Sequence, residues 1–153
     1  MSIEQRLAEL GITLPQPAAP VAAYVPAVEH GGALHISGQI SFAEDGSLIK
    51  GRLGDDVDLD GGVEAARRCG IMLLAQIKAA LGSLDRVERI VKLGVFVNSA
   101  PSFIDQPKVA NGASELMQDV FGEAGRHARS AVGVAALPLG VAVEVDAIVA
   151  VKP

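Results

Sequence analysis

An arginine and two acidic residues stand close together in a stretch of sequence whose pattern is otherwise that of β-strands. Residues 127–147, HARSAVGVAALPLGVAVEVDA, place Arg129 before a run of small residues and place Glu144 and Asp146 in a valine-rich segment. A guanidinium binds a carboxylate or phosphate through parallel, charge-assisted hydrogen bonds. It can equally form an ion pair with Glu144 or Asp146, and the residues themselves leave both interpretations open.

Side-chain alternation in this region predicts two strands with contrasting faces, over residues 129–136 and 141–151. The valines are expected to lie under helices: Val132 and Val134 in the first strand, and Val141, Val143 and Val145 in the second. The opposite faces are small or charged: Arg129, Ala131, Gly133 and Ala135, then Ala142, Glu144, Asp146 and Ile148. Because charges kept inside oligomer interfaces are usually paired or functional, we expect another copy of the chain to cover this face.

The first half of the chain supplies elements that could position these residues. Ser2 and Gln5 fit a capping box for a short N-terminal helix, and a connector rich in Pro and Ala follows over residues 13–23. Gly31-Gly32 predicts a hairpin between two strands. Residues 47–53, SLIKGRL, are predicted to form a third short strand.

Two amphipathic helices and one strand are predicted in the middle of the chain. The first helix follows Asp60 and is ended by Gly82, the strand covers residues 86–98, and the second helix covers residues 104–121. The residues expected to face the core are Ala66, Gly70, Leu73, Ile77 and Leu81, then Val91, Leu93, Val95 and Val97, then Val109, Ala113, Leu116, Met117 and Val120. Two helices of this length can cover one face of a sheet, which indicates an α+β class.

Composition excludes several classes of function. The chain has 153 residues, enough for one domain with its own core, and no apolar run reaches the ~20 residues that span a bilayer. The N-terminal MSIEQRLAEL carries charges where a signal peptide has an apolar stretch. With one cysteine, a reducing, cytoplasmic setting is expected. Because 18 acidic residues exceed 13 basic ones, a nucleic-acid partner is not expected.

Neither a metal nor a cofactor is expected. His30, His35 and His127 lack the spacing of metal ligands, and Cys69 has no cysteine partner. We interpret Cys69 as a core residue rather than a nucleophile. His127 shares a predicted strand face with Arg129, so it is either a cleft residue or a strand-end histidine.

Several segments together resemble the YjgF/RidA family, whose members are also named as L-PSP-like endoribonucleases. They are YVPAVEHGGALHISGQI, VKLGVFVNSAPSF, VFGEAG and ARSAVGVAALPLGVAVEVDAIV. On this resemblance, residues 1–20 are an N-terminal helix and connector, and residues 21–153 are the family-like domain. The resemblance implies a chorismate mutase-like fold, a mixed sheet with two long helices on one face, and a homotrimer whose sheets form a barrel with clefts between subunits.

The resemblance also implies an activity and a site. Well-known members hydrolyse enamines and imines, reactive products of pyridoxal-phosphate enzymes, to 2-keto acids and ammonia, so the implied partners are small 2-imino or 2-keto carboxylates. Arg129 matches the carboxylate-binding arginine, and Glu144 matches the acid that handles the proton of water. Tyr24 and Gly38 match pocket-wall positions, and Ala131 matches a substrate-binding position.

The sequence departs from the family at three positions that line the site in other members. Ala131 replaces a frequent cysteine, Gly133 replaces a common acid, and Pro101 stands where a pocket asparagine is common. A backbone contact at Ala131 would survive, whereas a thiol contact would not. Two alternatives to a deaminase therefore stay open: a carboxylate-binding or sensing module without turnover, and an endoribonuclease.

Overall fold

The five strands among the described residues form one mixed sheet. The computed structural model describes residues 1–17, 19–20 and 22–153 of the chain. Its strands are β1 (Ala27–His30), β2 (Ala33–Ile40), β3 (Val87–Asn98), β4 (Ala128–Val134) and β5 (Val143–Val151). They lie in the order β1-β2-β5-β3-β4, with every pair antiparallel except β3 and β4. The hairpin predicted at Gly31-Gly32 is confirmed, and both glycines have the positive φ that such a turn requires.

Two long helices pack against one face of this sheet and confirm the predicted α+β architecture. Helix α2 (Leu59–Leu81) lies over β2 and β5, and helix α3 (Gln106–Phe121) lies over β3 and β4. The Asp58 carboxylate caps the first turn of α2, and Gly82 ends the helix with a φ of 83°. Every residue predicted to face the core from these two helices is buried.

The N-terminal helix α1 (Ile3–Glu9) is also confirmed, with the predicted capping box. The Ser2 backbone N–H donates to Gln5 Oε1 at 2.8 Å, and the Gln5 backbone N–H donates to Ser2 Oγ at 3.1 Å. Leu7 joins the core from this helix. In the connector predicted over residues 13–23, Ala18 and Val21 lie outside the described residues.

Two predictions for the strands that precede β4 are wrong. Residues 47–53 form isolated bridges to Phe42, Val141 and other residues instead of a strand, because glycines with positive φ at 46, 51 and 54 interrupt any extended run. In β3, Val91 is 40% exposed and Ile90 is buried in its place. A register shift against β5 between Ile90 and Lys92 changes which residues face the core at that point.

The predicted faces of β4 are reversed in the structure. Leu93 of β3 pairs with Arg129, and Val95 pairs with Ala131, so Arg129 and Ala131 face the helices, while Val132 is 45% exposed on the open face. The reason lies in α3. This helix packs close to β4, where a Cβ added at Gly133 would lie 2.7 Å from Gln106 Nε2, so only small side chains fit, and polar groups of α3 accept hydrogen bonds from Arg129. The inward faces predicted for Val141, Val143 and Val145 are confirmed, but Ala142 is buried in the core as well.

No helix in the described part of the chain is long and apolar enough to cross a membrane.

Candidate functional site

A bulge near the end of β2 shapes the first part of the candidate site. The pairing of β2 with β5 shifts register between Ile36 and Gln39, so Gly38 lies within the bulge. An added Cβ at Gly38 would lie 2.5 Å from Oε1 of Glu144 on β5. Only glycine therefore lets the backbone of β2 approach the Glu144 carboxyl so closely.

Buried amide side chains hold this bulge in place. The Gln39 side chain donates from Nε2 to the Ser37 carbonyl at 3.0 Å, and Gln76 of α2 donates to Gln39 Oε1 at 3.1 Å. Ser37 is fixed further by its backbone N–H and hydroxyl, which both donate to the Pro26 carbonyl. Because both glutamines are almost fully buried, their hydrogen bonds define one conformation for the Ser37–Gly38 backbone.

The bulge opens into a pocket of about 350 Å³, within the size range of small-molecule sites, which starts at about 300 Å³. Most of its walls are apolar side chains: Tyr24, Pro26, Ile40, Phe42, Pro138 and Leu139. Of the described residues that line it, Glu144 alone carries a charge. The pocket thus combines one carboxyl with an apolar surround.

The surroundings of Glu144 favour its protonated form. Burial raises the pKa of Glu144 above its usual 4.5, and the nearby Asp146 carboxylate raises that pKa further. Burial also raises the pKa of Asp146, although a hydrogen bond from the Gly94 backbone and the charge of Lys92 act against it. A carboxyl with a raised pKa can both accept and donate a proton closer to neutral pH.

Arg129 lies on the other face of the sheet, held by the side of α3. Its Nη1 donates to Asn111 Oδ1 at 2.9 Å and to Ser114 Oγ at 3.0 Å, and its Nη2 donates to the Pro107 carbonyl at 3.3 Å. These bonds use three of the five guanidinium N–H groups. The Nε–H and one N–H of Nη2 have no partner among the described residues, and these two groups can lie on one edge that matches a carboxylate.

A histidine extends this network away from the sheet. His127 Nδ1 lies 2.7 Å from the Gly125 carbonyl, and His127 Nε2 lies 2.8 Å from Ser114 Oγ. The carbonyl can only accept, so Nδ1 carries the proton and Nε2 accepts from the Ser114 hydroxyl. The Ser114 oxygen in turn accepts a hydrogen bond from Arg129. Arg129, Ser114 and His127 are therefore linked by consecutive hydrogen bonds.

Comparison with known proteins identifies the family to which this architecture belongs. The model of a family described as "YjgF/chorismate_mutase-like, putative endoribonuclease" matches residues 4–149. The chain belongs to the YjgF family. The resemblance inferred from the sequence is therefore confirmed.

Three similar proteins illustrate how much of the chain is shared. Protein TCP17 of Trypanosoma cruzi is 54% identical over 96% of this chain and 92% of its own length. A 2-iminobutanoate/2-iminopropanoate deaminase of Dermatophagoides farinae is 28% identical over 92% of this chain and 95% of its own. The crystal structure of a putative endoribonuclease from Shewanella oneidensis is 34% identical, covers 99% of this chain and 100% of its own, and superposes with a TM-score of 0.95.

The structure brings some of the predicted site residues together and separates others. Tyr24, Gly38 and Glu144 line one pocket, whereas Arg129 and Ala131 face α3 on the opposite side of the sheet. Within the described chain, the ion pair of Arg129 with Glu144 or Asp146 that the sequence left open does not form. No group of three His, Cys, Asp or Glu side chains among the described residues could hold a metal ion.

Sequence reasoning missed other residues of these two regions. Asn111 and Ser114 hold Arg129, but on α3 they look like ordinary polar positions of an amphipathic helix. Leu139 lines the Glu144 pocket with a φ of 60°, a backbone conformation that leucine rarely adopts. The neighbouring Gly140, which also has a positive φ, was the one available signal of an irregular turn there.

Proposed function

We propose that this chain hydrolyses reactive enamine and imine intermediates to 2-keto acids, at clefts formed between copies of the chain. The observation that carries the proposal is the Glu144 carboxyl, which faces an apolar pocket against Gly38 and has a raised pKa. Support also comes from the deaminase of Dermatophagoides farinae, whose name states such an activity.

Glu144 would handle the protons of the reaction. Water adds to the carbon of the C=N bond of a 2-imino acid, and the proton that water loses passes to the Glu144 carboxylate. Glu144 returns that proton to the nitrogen, which gives a tetrahedral adduct with one hydroxyl and one amino group. The hydroxyl then loses its own proton, which Glu144 passes to the nitrogen, as the C=O bond forms and the C–N bond breaks. The products are a 2-keto acid and ammonia, so the atoms balance with one water consumed.

Arg129 would bind the carboxylate of the substrate. Three of its N–H groups are already occupied by Asn111, Ser114 and Pro107, so the guanidinium is held before a ligand arrives. The remaining Nε–H and Nη2–H suit the two oxygens of a planar carboxylate. Ala131 and Gly133 follow on the same face of β4, and their small size leaves space beside Arg129 for a ligand.

Arg129 and Glu144 of one chain lie on opposite faces of the sheet, so one copy cannot present both to a small ligand. A neighbouring copy could supply the second group, and we therefore propose a homotrimer with its sites between subunits. The open sheet face, with Phe96, Val132 and the half-buried Glu144 and Asp146, would lie inside this assembly. Light scattering at micromolar concentration should give three times the mass of the chain, and a stable monomer would remove this explanation of the site.

The activity itself can be tested in a coupled assay. A pyridoxal-phosphate enzyme releases 2-aminoacrylate or 2-iminobutanoate, and the appearance of the keto acid is followed with and without this protein. We expect faster keto-acid release, and faster release in proportion to the protein added. No acceleration with any imino acid would contradict the proposal.

A second candidate is a carboxylate-binding module without turnover. It is favoured by the complete hydrogen-bonded support of Arg129, which serves binding whether or not chemistry follows. Calorimetric binding of 2-keto acids, combined with no acceleration in the coupled assay, would support this candidate. The acidic balance of the chain, 18 acidic against 13 basic residues, favours neither RNA binding nor RNA cleavage.

A further inference from the structure

The loop between β4 and β5 forms one rim of the Glu144 pocket in an unusual conformation. Leu139 has φ 60° and ψ 11°, and Gly140 follows with φ 73°. The loop is tied down on both sides, because the Gly140 N–H donates to the Leu137 carbonyl and the Gly51 N–H donates to the Gly140 carbonyl, each at 3.0 Å. The left-handed conformation at a leucine is thus held by its surroundings, as backbone strain at functional sites usually is.

This conformation leaves an apolar side chain in solvent at the pocket mouth. Leu139 is 67% exposed, and Tyr24, which also lines the pocket, is 53% exposed. Deeper in the pocket, Ile40 and Phe42 continue the apolar wall toward Glu144. Exposed apolar residues that cluster around one cavity of a single copy indicate a surface that binds an apolar group.

We propose that this pocket receives the side chain of the substrate, and that Leu139 selects long or branched aliphatic side chains over those of two- and three-carbon acids. The inference rests on the proposed function, because the side chain that it places in the pocket is attached to the imine carbon. Water adds to that carbon with the help of Glu144. A chain of that kind would cover Leu139 and Tyr24 and would leave Glu144 in contact with the reacting atoms. A small substrate would leave the rim exposed to water.

The probes for this inference are 2-keto acids of increasing chain length, titrated into the protein by calorimetry: pyruvate, 2-oxobutanoate, 2-oxopentanoate and 4-methyl-2-oxopentanoate. Binding should tighten about fourfold for each added methylene, the equivalent of ~0.8 kcal/mol for each buried CH₂. In the coupled assay the same order should hold for kcat/KM of the corresponding imino acids, since a longer side chain is bound in both the substrate and the transition state.

The decisive variant is Leu139→Gly. Glycine favours the positive φ at this position, so the loop should keep its conformation and the melting temperature should not fall. Affinity for 4-methyl-2-oxopentanoate should fall about tenfold, and affinity for pyruvate should fall much less. Ile104→Gly is the matched control, because it removes another exposed aliphatic side chain from a loop outside the pocket.

Failure of this inference differs from failure of the proposed function. If pyruvate and the longer acids bind equally well, or if Leu139→Gly weakens the long acids no more than Ile104→Gly does, the assignment of the pocket to the side chain is wrong and the deaminase proposal stands. If no keto acid binds and no imino acid is hydrolysed faster, the proposed function is wrong and this inference falls with it.

Discussion

The Glu144 pocket and the Arg129 network occupy opposite faces of one sheet and are built in opposite ways. The pocket surrounds one carboxyl with apolar side chains and gives it no cationic partner among its described lining residues. The network surrounds one guanidinium with oxygen acceptors from Asn111, Ser114 and Pro107. The carboxyl is therefore destabilised in its charged form, whereas the guanidinium is stabilised and oriented.

This difference shows how a small fold can keep opposite charges available for a ligand. On one face of the sheet, Arg129 and Glu144 would neutralise each other, as the sequence alone allowed. Separated by the sheet, each keeps its own environment: a proton acceptor and donor on one side, and an anion-binding group on the other. The predictions that follow alter one side at a time.

The largest effect is expected from Glu144→Gln, which keeps the shape of the side chain and removes the base. Turnover should fall by about 10²–10⁴-fold in the steady-state coupled assay. Keto-acid affinity should change little, because it depends on Arg129. Asp146→Asn changes a second carboxyl of the same sheet face outside the pocket. It should lower turnover far less than Glu144→Gln, because it removes only the smaller of the two causes that raise the pKa of Glu144 and leaves the Glu144 carboxyl in place. Full turnover in Glu144→Gln would exclude a catalytic role for this residue.

Arg129→Lys tests the other side of the sheet. A lysine keeps the charge but loses the paired geometry, so keto-acid binding should weaken by about 1.5–3 kcal/mol, or about 10- to 150-fold. Isothermal calorimetry measures this change directly. Arg126→Lys is the control, because Arg126 is an exposed residue that precedes β4, and its guanidinium forms a 4.0 Å ion pair with Glu123. Equal keto-acid affinity in both variants would show that Arg129 is structural.

Gly38→Ala should disturb the pocket without altering its charges. The new Cβ would stand 2.5 Å from Glu144 Oε1, so the flexible end of the glutamate must move. A displacement of this size should lower kcat about tenfold, with little change in melting temperature. Gly94→Ala places a Cβ against the Asp146 carboxylate in the same manner, away from the pocket. If the two variants lose equal activity, the position of Glu144 is not what Gly38 protects.

The smallest effect concerns His127 and pH. Burial lowers the pKa of His127 from its usual 6.5; the hydrogen bond to Gly125 opposes this and the Arg129 cation adds to it. The unfolded chain therefore binds a proton at higher pH than the folded chain, and stability is lost as pH falls from 6.5 through the lower pKa of the folded state.

The melting temperature should accordingly fall less for His127→Gln than for the unchanged protein when the pH is lowered from about 7.5 to about 5.5. The two decreases should differ by about a few degrees. The raised pKa values of Glu144 and Asp146 act in the opposite direction with pH, but they are common to both proteins. A parallel pH profile for His127→Gln would contradict the assignment of His127 as the titrating group.

The sequence predicted the elements of the fold through features that act locally. The capping box of Ser2 and Gln5, the stop at Gly82 and the helical spacing of the α2 and α3 core residues depend on neighbours along the chain. The bulge that exposes Val91 could not be predicted, because it results from pairing with β5. The isolated bridges of residues 47–53 likewise depend on distant partners.

The candidate site was predicted in its residue types more fully than in its arrangement. Alternation along β4 correctly separated Arg129 and Ala131 from Val132, but it does not tell which face meets the helices. Hydrophobicity alone predicts that Val132 faces the helices. In the structure the small residues face α3, because the helix packs closely there, and α3 supplies the hydrogen-bond acceptors of Arg129. The left-handed conformation of Leu139 contradicts the local preference of leucine, and the neighbouring Gly140 signals a turn without indicating which residue adopts this conformation.

The position of β4 in the sheet has a consequence for the order in which the molecule opens. Within the described chain β4 is an edge strand, paired with β3 alone, while β5 lies between β2 and β3. Edge segments with few ladder bonds undergo local unfolding at lower free energy than central strands. Backbone amides of β4 should thus exchange with deuterium before those of β5, and a carboxylate bound to Arg129 should slow that exchange by joining β4 more firmly to α3.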